Sequence, residues 1–479
     1  MPVTPQDQKL IHEIPFDSER KAMSVVLKDS SGKVAMHTKG AAEIILGMSQ
    51  HELRGGQVVP LTEDRKREIL ELNGQMAGRS LRVLALAYRI YADVPPAYEE
   101  KDLVFSALIG MLDPPREEVK VAVQKCHDAG IRPIMITGDH PATALAIAKE
   151  LGIARKEDGV VSGTELDQWS DKELSARVEQ ISVYARVSPA HKLRIVQAWK
   201  SMGQIVAMTG DGVNDAPAVK AADIGIAMGL SGTDVTKEAA AMVLTDDNFA
   251  SIVSAVEEGR GIYDNIQKFL LYLLAGNVGL VLFVFIASVM GWPFPMTPTQ
   301  ILWMNLVTNG LPALALGMEP PEPDIMRRRP RRPGEPILGF HAILLTLAIG
   351  LLVAAVTTIS FAVVYQWQEA NLPQARTIAF CVVSYAFIFS SFAFRSARRT
   401  MPELGFFSNP ALLGAVGVSC LLQMSVVMLP FARPVFETAN HFAWEWALIG
   451  LLSLTPVTIM ETVKIIRMRW FQSQGHLPV

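Results

Sequence analysis

Two periodicities divide the chain. Up to about residue 265, apolar residues come in short runs of three to eight, with charged stretches of helical period between them. Beyond that point the apolar runs lengthen to bilayer-spanning size, and charges retreat to the connections. Three regions follow. In residues 1–100, Ala22–Leu27 and Val34–His37 read as strands around a turn at Ser31-Gly32, Glu63–Met76 as an exposed helix, and Leu81–Tyr88 as a half-buried strand. Residues 101–248 alternate. Short runs at Phe105–Met111, Arg132–Thr137, Ser182–Ala185, Gln204–Thr209, Ile224–Met228 and Met242–Leu244 are separated by helical patterns such as Arg116–Ala129, Ala142–Leu151 and Ala190–Ser201. Such alternation predicts a parallel α/β sheet covered by helices, which binds ligands at the carboxyl ends of its strands.

Residues 249–479 hold six apolar stretches, at about 266–290, 297–318, 340–365, 377–394, 411–429 and 443–466. Each approaches the ~20 residues that cross a bilayer as a helix. The segment from Phe249 to Met290 has no breaker except glycine, and one long helix is favoured there over two hinged near Gly259 or Gly261. Basic residues cluster after the second stretch (Arg327, Arg328, Arg329, Arg331, Arg332), the fourth (Arg395, Arg398, Arg399) and the sixth (Lys464, Arg467, Arg469). The positive-inside rule puts these connections, the C-terminus and the charged half in the cytoplasm, with the protein in the cell membrane.

Overall charge is nearly balanced, 44 basic against 47 acidic residues, so no nucleic-acid partner is implied. Three scattered cysteines (Cys126, Cys381, Cys420) support neither a disulfide framework nor a metal cluster. The start, Met1-Pro-Val-Thr-Pro, is not a signal peptide.

Candidate chemistry sits at strand ends. Asp211-Gly-Val-Asn-Asp215 places two carboxylates four residues apart where a buried strand should stop, an arrangement suited to Mg²⁺ facing a phosphoryl group. Thr137-Gly138-Asp139 falls at another strand end. Phosphoryl transfer depends mostly on positioning and charge stabilisation. Thr137 offers a hydroxyl and a backbone N–H, Lys192 a point charge, Asp211 a direct Mg²⁺ ligand, and Asn214 and Asp215 orient that ligand and the phosphoryl group. N-capping of the following helix is the bland account of Asp139.

Four segments then occur in series: Gly110-Met-Leu-Asp-Pro-Pro-Arg116, Met135-Ile-Thr-Gly-Asp139, Ala185-Arg-Val-Ser-Pro-Ala-His-Lys192 and Thr209-Gly-Asp-Gly-Val-Asn-Asp-Ala-Pro217. Their order, followed by membrane helices, resembles P-type ATPases of the calcium-pump-like branch over essentially the whole chain. The resemblance implies a haloacid-dehalogenase-like phosphorylation domain, part of an α+β nucleotide-binding domain before it, and a six-helix membrane bundle after it. It implies ATP and Mg²⁺ as cofactors. It assigns nucleotide contacts to Phe16, Lys21, Met23, Lys39, Arg82, Asp113 and Arg186, and ion coordination to Asn277, Asn305, Thr308 and Asn309.

Departures accompany the match. Ser18 stands where the family often has an arginine. Leu280 and Asn309 replace acidic ion ligands, and Phe387 lies nearest a third acidic position. Neutral amides compensate a divalent ion poorly, so one divalent site at most, or a monovalent ion, is expected. The family's Asp-Lys-Thr-Gly-Thr phosphorylation motif occurs nowhere. The resemblance therefore makes this the C-terminal part of a calcium pump, inactive alone and completed by an upstream half that supplies the actuator domain and four membrane helices. Transport of Na⁺, K⁺ or Mn²⁺, a non-catalytic partner, and a membrane-tethered phosphatase are the rival readings.

Overall fold

The computed structural model describes residues 8–78, 81–91, 97–111, 116–155, 158–367, 371–440 and 443–473. The chain divides into two compact units, residues 1–253 and 254–479.

The first unit contains three sheets. Seven strands, β1 (Gln8–Asp17), β2 (Ala22–Asp29), β3 (Val34–Gly40), β4 (Ser49–Arg54), β5 (Gln57–Pro60), β6 (Arg82–Tyr91) and β7 (Leu103–Met111), form one sheet in the order β1-β2-β3-β6-β7-β4-β5. Alternation sets its two faces. Ala22, Val26, Val34, Met36, Ala85, Ala87, Leu103 and Phe105 form the buried side with Ile45, Leu46 and Ile69 of the helices Ala42–Met48 and Glu63–Ala77. Gly32 takes up the left-handed turn between β2 and β3, with φ of +87°. Phe105–Met111, expected to open the parallel region, instead pairs antiparallel with β6 and parallel with β4. Its apolar run fits either sheet, and only the long-range pairing decides which.

The parallel region forms two three-stranded sheets. One has the order β8 (Met135–Ile136), β10 (Ile181–Ala185), β9 (Gly159–Ser162); the other runs β11 (Ala207–Gly210), β12 (Ile224–Met228), β13 (Met242–Leu244). All four pairings are parallel. β8 and β11 are thus edge strands, each bonded on one side among the described residues. Ile136 of β8 packs on the apolar cluster of Val196, Met208, Ala218 and Val219.

The second unit is helical, and among the described residues five helices, the first of them starting at the end of the first unit, are long and apolar enough to cross a membrane: Phe249–Val289, Phe340–Gln366, Leu372–Ala393, Pro410–Met428 and Ala443–Trp470. Phe249–Val289 is one uninterrupted helix of 41 residues, about 60 Å long, without a hinge at Gly259 or Gly261. The second stretch, at about 297–318, takes a different form. Pro298–Trp303 and Gly310–Leu316 are α-helical and Met304–Thr308 is π-helical, so it is not among the five. Leu372–Ala393 is enclosed along most of its length, in keeping with a central helix. Its C-terminal end meets a buried polar hub. Arg395, 1% exposed, donates to both carboxylate oxygens of Glu319 at 2.8–3.1 Å, and Asn409 donates to Glu319 Oε2 at 2.7 Å.

Breaking a buried ion pair strands the remaining charge, a loss of about 3–5 kcal/mol. Arg395→Ala is therefore expected to lower the thermal midpoint in detergent markedly. Arg395→Met combined with Glu319→Met should lose much less, which paired melting curves will read.

Candidate functional site

The helix Pro189–Ser201 reaches both regions: Val187, just before it, donates its N–H to Thr137 O after β8 at 3.4 Å, and its first turn meets the loop after β11. Lys192, in the first turn of that helix, donates to Asp215 Oδ1. Asp215 is 5% exposed, and its other oxygen accepts the Asp211 N–H at 3.4 Å. A Cβ on Gly210 would lie 2.5 Å from the Asp215 Cβ, so glycine is what lets the carboxylate sit against the strand end. Asp211 and Asn214 are exposed, and neither side chain has a bonded partner among the described residues. The pair is thus unequal: Asp215 is spent holding Lys192 and the loop, while Asp211 is free to take a hard cation.

The Thr137 N–H donates to Tyr184 O at 2.9 Å, its hydroxyl donates to Asp139 Oδ2 at 3.0 Å, and the Asp139 N–H returns to Thr137 Oγ1 at 3.1 Å, which closes a tight turn over Gly138. Asp139 is not the cap of the next helix. His140 caps Pro141–Leu151 by accepting the Ala142 N–H. Asp139 instead faces Arg82 Nε at 4.0 Å. Arg186, with φ of +51°, donates its N–H to Asp139 O and ion-pairs with Glu43. Asp113 lies outside the described residues.

A second set lies on the face of the seven-stranded sheet opposite its helices. Register pairs Met23 with Lys39 and Lys39 with Leu86. Phe16, 65% exposed, occupies the irregular end of β1 that pairs with the start of β2. Lys21 has φ of +53° in the turn that precedes β2, and its carbonyl approaches Gly40. A pocket here is lined by Met23, Val25, His37, Thr38, Lys39, Leu86, Ala87, Tyr88 and Ser106. His37, Leu86 and Tyr88 escaped the sequence reading, although two-residue spacing from Lys39 would have found His37.

Also unforeseen is the support behind Asp211. The Thr233 N–H donates to Asp211 O at 2.9 Å, and the Thr236 hydroxyl to Gly212 O at 2.8 Å. That loop is clamped by Asp247, which accepts from Gly229 N at 2.6 Å, Leu230 N at 3.0 Å, and Ser231 N and Oγ at 2.8 Å. Hydrogen bonds from Leu230, then Ser231 and Gly229, pull the Asp247 carboxyl down to about 2.

In the helical unit, the π-helical turn lets the Asn309 N–H reach Met304 O at 2.9 Å, five residues back. Such turns occur frequently at functional sites. Asn309 is 3% exposed and its Oδ1 has no partner, while the Thr308 hydroxyl is bonded to Met304 O at 2.8 Å. Asn305 and Asn277 are exposed on the surface of this unit. A Cβ on Gly276 would lie 3.3 Å from Asn309 Nδ2 and 3.5 Å from the Phe387 ring, and Phe387 meets Tyr272 edge-on at 6.5 Å. Leu280 is also buried. Among the described residues no group of three or more His, Cys, Asp or Glu forms a metal cluster.

The fold is thus of mixed sheets together with helices apolar enough to cross a membrane. Two family models match it: P-type ATPase, cytoplasmic domain N, over residues 2–118, and Cation transporting ATPase, C-terminus, over residues 293–466. Relatives include a calcium-transporting ATPase of Bacillus subtilis, 44% identical over 94% of this chain and 51% of that protein, and one of Bacillus cereus, 42% identical over 95% and 53%. The mouse calcium-transporting ATPase type 2C member 2 is 38% identical over 95% of this chain and 47% of its own. The chain belongs to the P-type cation-transporting ATPases. It spans about half the length of the curated relatives it matches.

Since the Asp247 carboxyl is held below its ordinary value of 3.8, the stability it lends is present above that pH and fades as pH falls toward 2. Asp247→Asn should therefore flatten the acid side of the stability profile between pH 4 and pH 2, measured by equilibrium unfolding against wild type.

Proposed function

We propose that this chain is the C-terminal part of an ATP-driven P-type pump that moves Ca²⁺ across a membrane. The observation that carries the reading is the Lys192–Asp215–Asp211 cluster at the end of β11, with Thr137 at the end of β8, both strands being edges unpaired on one side among the described residues. A single parallel strand inserted between them would make one continuous haloacid-dehalogenase-like sheet. Its carboxyl end would bring an acceptor aspartate to these four residues. No Asp-Lys-Thr-Gly-Thr segment exists in this sequence, so that strand would belong to the partner half. ATP would lie on the open sheet face, its base near Phe16, Met23 and Lys39. Its phosphates would extend toward Arg82 and Asp139, with Lys21, Arg186 and Asp113 supporting. Mg²⁺ would be held by Asp211, whose carboxylate is exposed and uncommitted, and would neutralise the phosphoryl oxygens when bound. Lys192 neutralises charge as a fixed cation, Thr137 and Asn214 orient the transferring group, and Asp215 positions Lys192 and the Asp211 loop.

The transported ion would meet Asn309 Oδ1, with Asn305, Asn277 and Thr308 adjacent. A buried acceptor without a donor is costly in a membrane interior, which supports a functional role there. Leu280 and Phe387 support one ion rather than two. The neutral amide at Asn309 also favours a second reading, a monovalent ion such as Na⁺ or K⁺, because a divalent ion needs carboxylates. The soluble unit and the C-terminus would be cytoplasmic, following the arginine clusters.

Incubated alone with radiolabelled ATP, the chain should give no acid-stable, hydroxylamine-sensitive phosphoenzyme. Co-assembly with a half that carries the acceptor strand should restore one, and Asp211→Ala should cut it by about 100-fold or more. Phosphoenzyme formed by the isolated chain contradicts the proposal. Dependence of the assembled ATPase on Ca²⁺, or instead on Na⁺, K⁺ or Mn²⁺, separates the ions.

A further inference from the structure

Five arginines stand in the six residues Arg327–Arg332, and the fold does not use them alike. Arg328 turns inward. It donates to Asp264 at 2.6 Å, Glu322 at 2.7 Å and Asp324 at 3.1 Å. Arg331 lies over the Tyr263 ring, 3.3 Å from its centroid. Arg327, Arg329 and Arg332 are exposed, and their side chains have no ion pair among the described residues. Glu335, on the same exposed loop, accepts the Arg332 backbone N–H at 3.3 Å. Bilayer orientation needs only that such charges stay on one side. It does not need three guanidinium groups left open beside an apolar surface.

Two helices mark where that apolar surface begins. Gln267 Nε2 donates to Ile337 O at 2.5 Å, which sets the end of the loop level with Gln267. From there, residues 269–289 of the helix Phe249–Val289, and the whole helix Phe340–Gln366, contain no Asp, Glu, Lys or Arg. Phe340, Ile343 and Leu344, at the start of the second of these helices, are 75%, 48% and 55% exposed. Asp264 and Tyr263, which meet Arg328 and Arg331, lie three and four residues before Gln267, about 5–6 Å along the helix. A headgroup layer is about 5–8 Å deep on each side of the hydrocarbon. The arginine run therefore stands at headgroup level. We propose that Arg327, Arg329 and Arg332 form an interaction surface for an anionic phospholipid leaflet, with their guanidinium groups on headgroup phosphates and Phe340 in the acyl boundary beneath. Planar guanidinium groups pair with phosphate through two parallel hydrogen bonds, and basic clusters adjoining a span attract anionic lipid. A soluble phosphate has no acyl chain to cover Phe340, Ile343 and Leu344, so a lipid fits this surface better. Arg328 and Arg331 alternate with the outward residues and tie the same loop to the long helix. Arg260 adds to that tie by donating to Ile325 O at 2.9 Å and Arg328 O at 2.8 Å. Lipid held on the outside thus steadies the loop that straps this helix.

The test is competition against acyl-labelled fluorescent phosphatidylglycerol bound to the purified chain in neutral detergent micelles. Unlabelled phosphatidylglycerol should displace the probe at about tenfold lower mole fraction than phosphatidylcholine, at about 0.05 M salt. That preference should fall at least about threefold at about 0.5 M salt, where screening shortens the reach of the charges. The triple variant Arg327→Gln, Arg329→Gln, Arg332→Gln should bring the two lipids within about twofold of each other. Its thermal midpoint in lipid-free detergent should match wild type, because the three side chains hold no ion pair. Phosphatidylglycerol should raise the wild-type midpoint and leave that of the variant unmoved. A wild-type chain without the preference, or a triple variant that keeps it, overturns the inference. Displacement of the probe by millimolar inorganic phosphate overturns it as well, since the arginines would then be taking a free anion. If the variant fails to fold, the salt series on wild type decides alone, and a preference indifferent to salt counts against the proposal.

Discussion

One contact organises the catalytic half: the buried Asp215 carboxylate, pressed against Gly210, with Lys192 on one oxygen and the Asp211 N–H on the other. An unpaired carboxylate in that position would be costly, and Lys192 makes its burial tolerable. The same contact divides labour between two acids that look alike in sequence. Asp215 is committed to the protein, and Asp211 is left facing outward. Around them, Thr233 and Thr236 hold the loop from behind, and Asp247 holds Thr233 and Thr236 through the Gly229–Ser231 backbone. Asp247 stands two residues before the helix Phe249–Val289, so the support of the Asp211 loop and the start of that helix share one segment.

The helical half obeys a different constraint. Without water, every polar atom needs a partner inside the protein. Most find one: Arg395 with Glu319, Asn409 with Glu319, Gln374 with Glu445. Several do not, among them Asn309 Oδ1, the Tyr272 hydroxyl and the hydroxyls of Ser384, Ser390 and Ser419. The π-helical turn just before Asn309 and the close approach of Gly276 to its amide nitrogen, with the Phe387 ring beside Gly276, hold this side chain in the interior.

Much of this was legible in the residues. β2, β3, β6, β10, β12 and β13, and the helices Glu63–Ala77, Glu117–Asp128, Pro141–Leu151 and Pro189–Ser201, lie within a few residues of where alternation and helical period put them. β8 did not reach its expected length: Met135–Ile136 is bonded, although Arg132–Thr137 is apolar enough for more. A short edge strand has a neighbour on one side only, and sequence does not say how many neighbours a strand has. β1, too, was unread, because its Pro15 and its mixed charges hide an edge strand with bulges.

The sequence by itself determined the chemistry: which acids, lysine and threonine stand at strand ends, which stretches are apolar enough to cross a bilayer, and which amides interrupt them. These depend on local period and residue type, which neighbours in the chain already contain. Only the tertiary structure decided that β7 joins the antiparallel sheet, that Asp139 faces Arg82 rather than capping a helix, and that Asp247 reaches back to Gly229. It also decided that the Asn309 side-chain oxygen is buried without a partner. Each of those outcomes joins residues far apart in the chain, and their partners are chosen by closure of the sheets and packing of the helices rather than by any nearby residue.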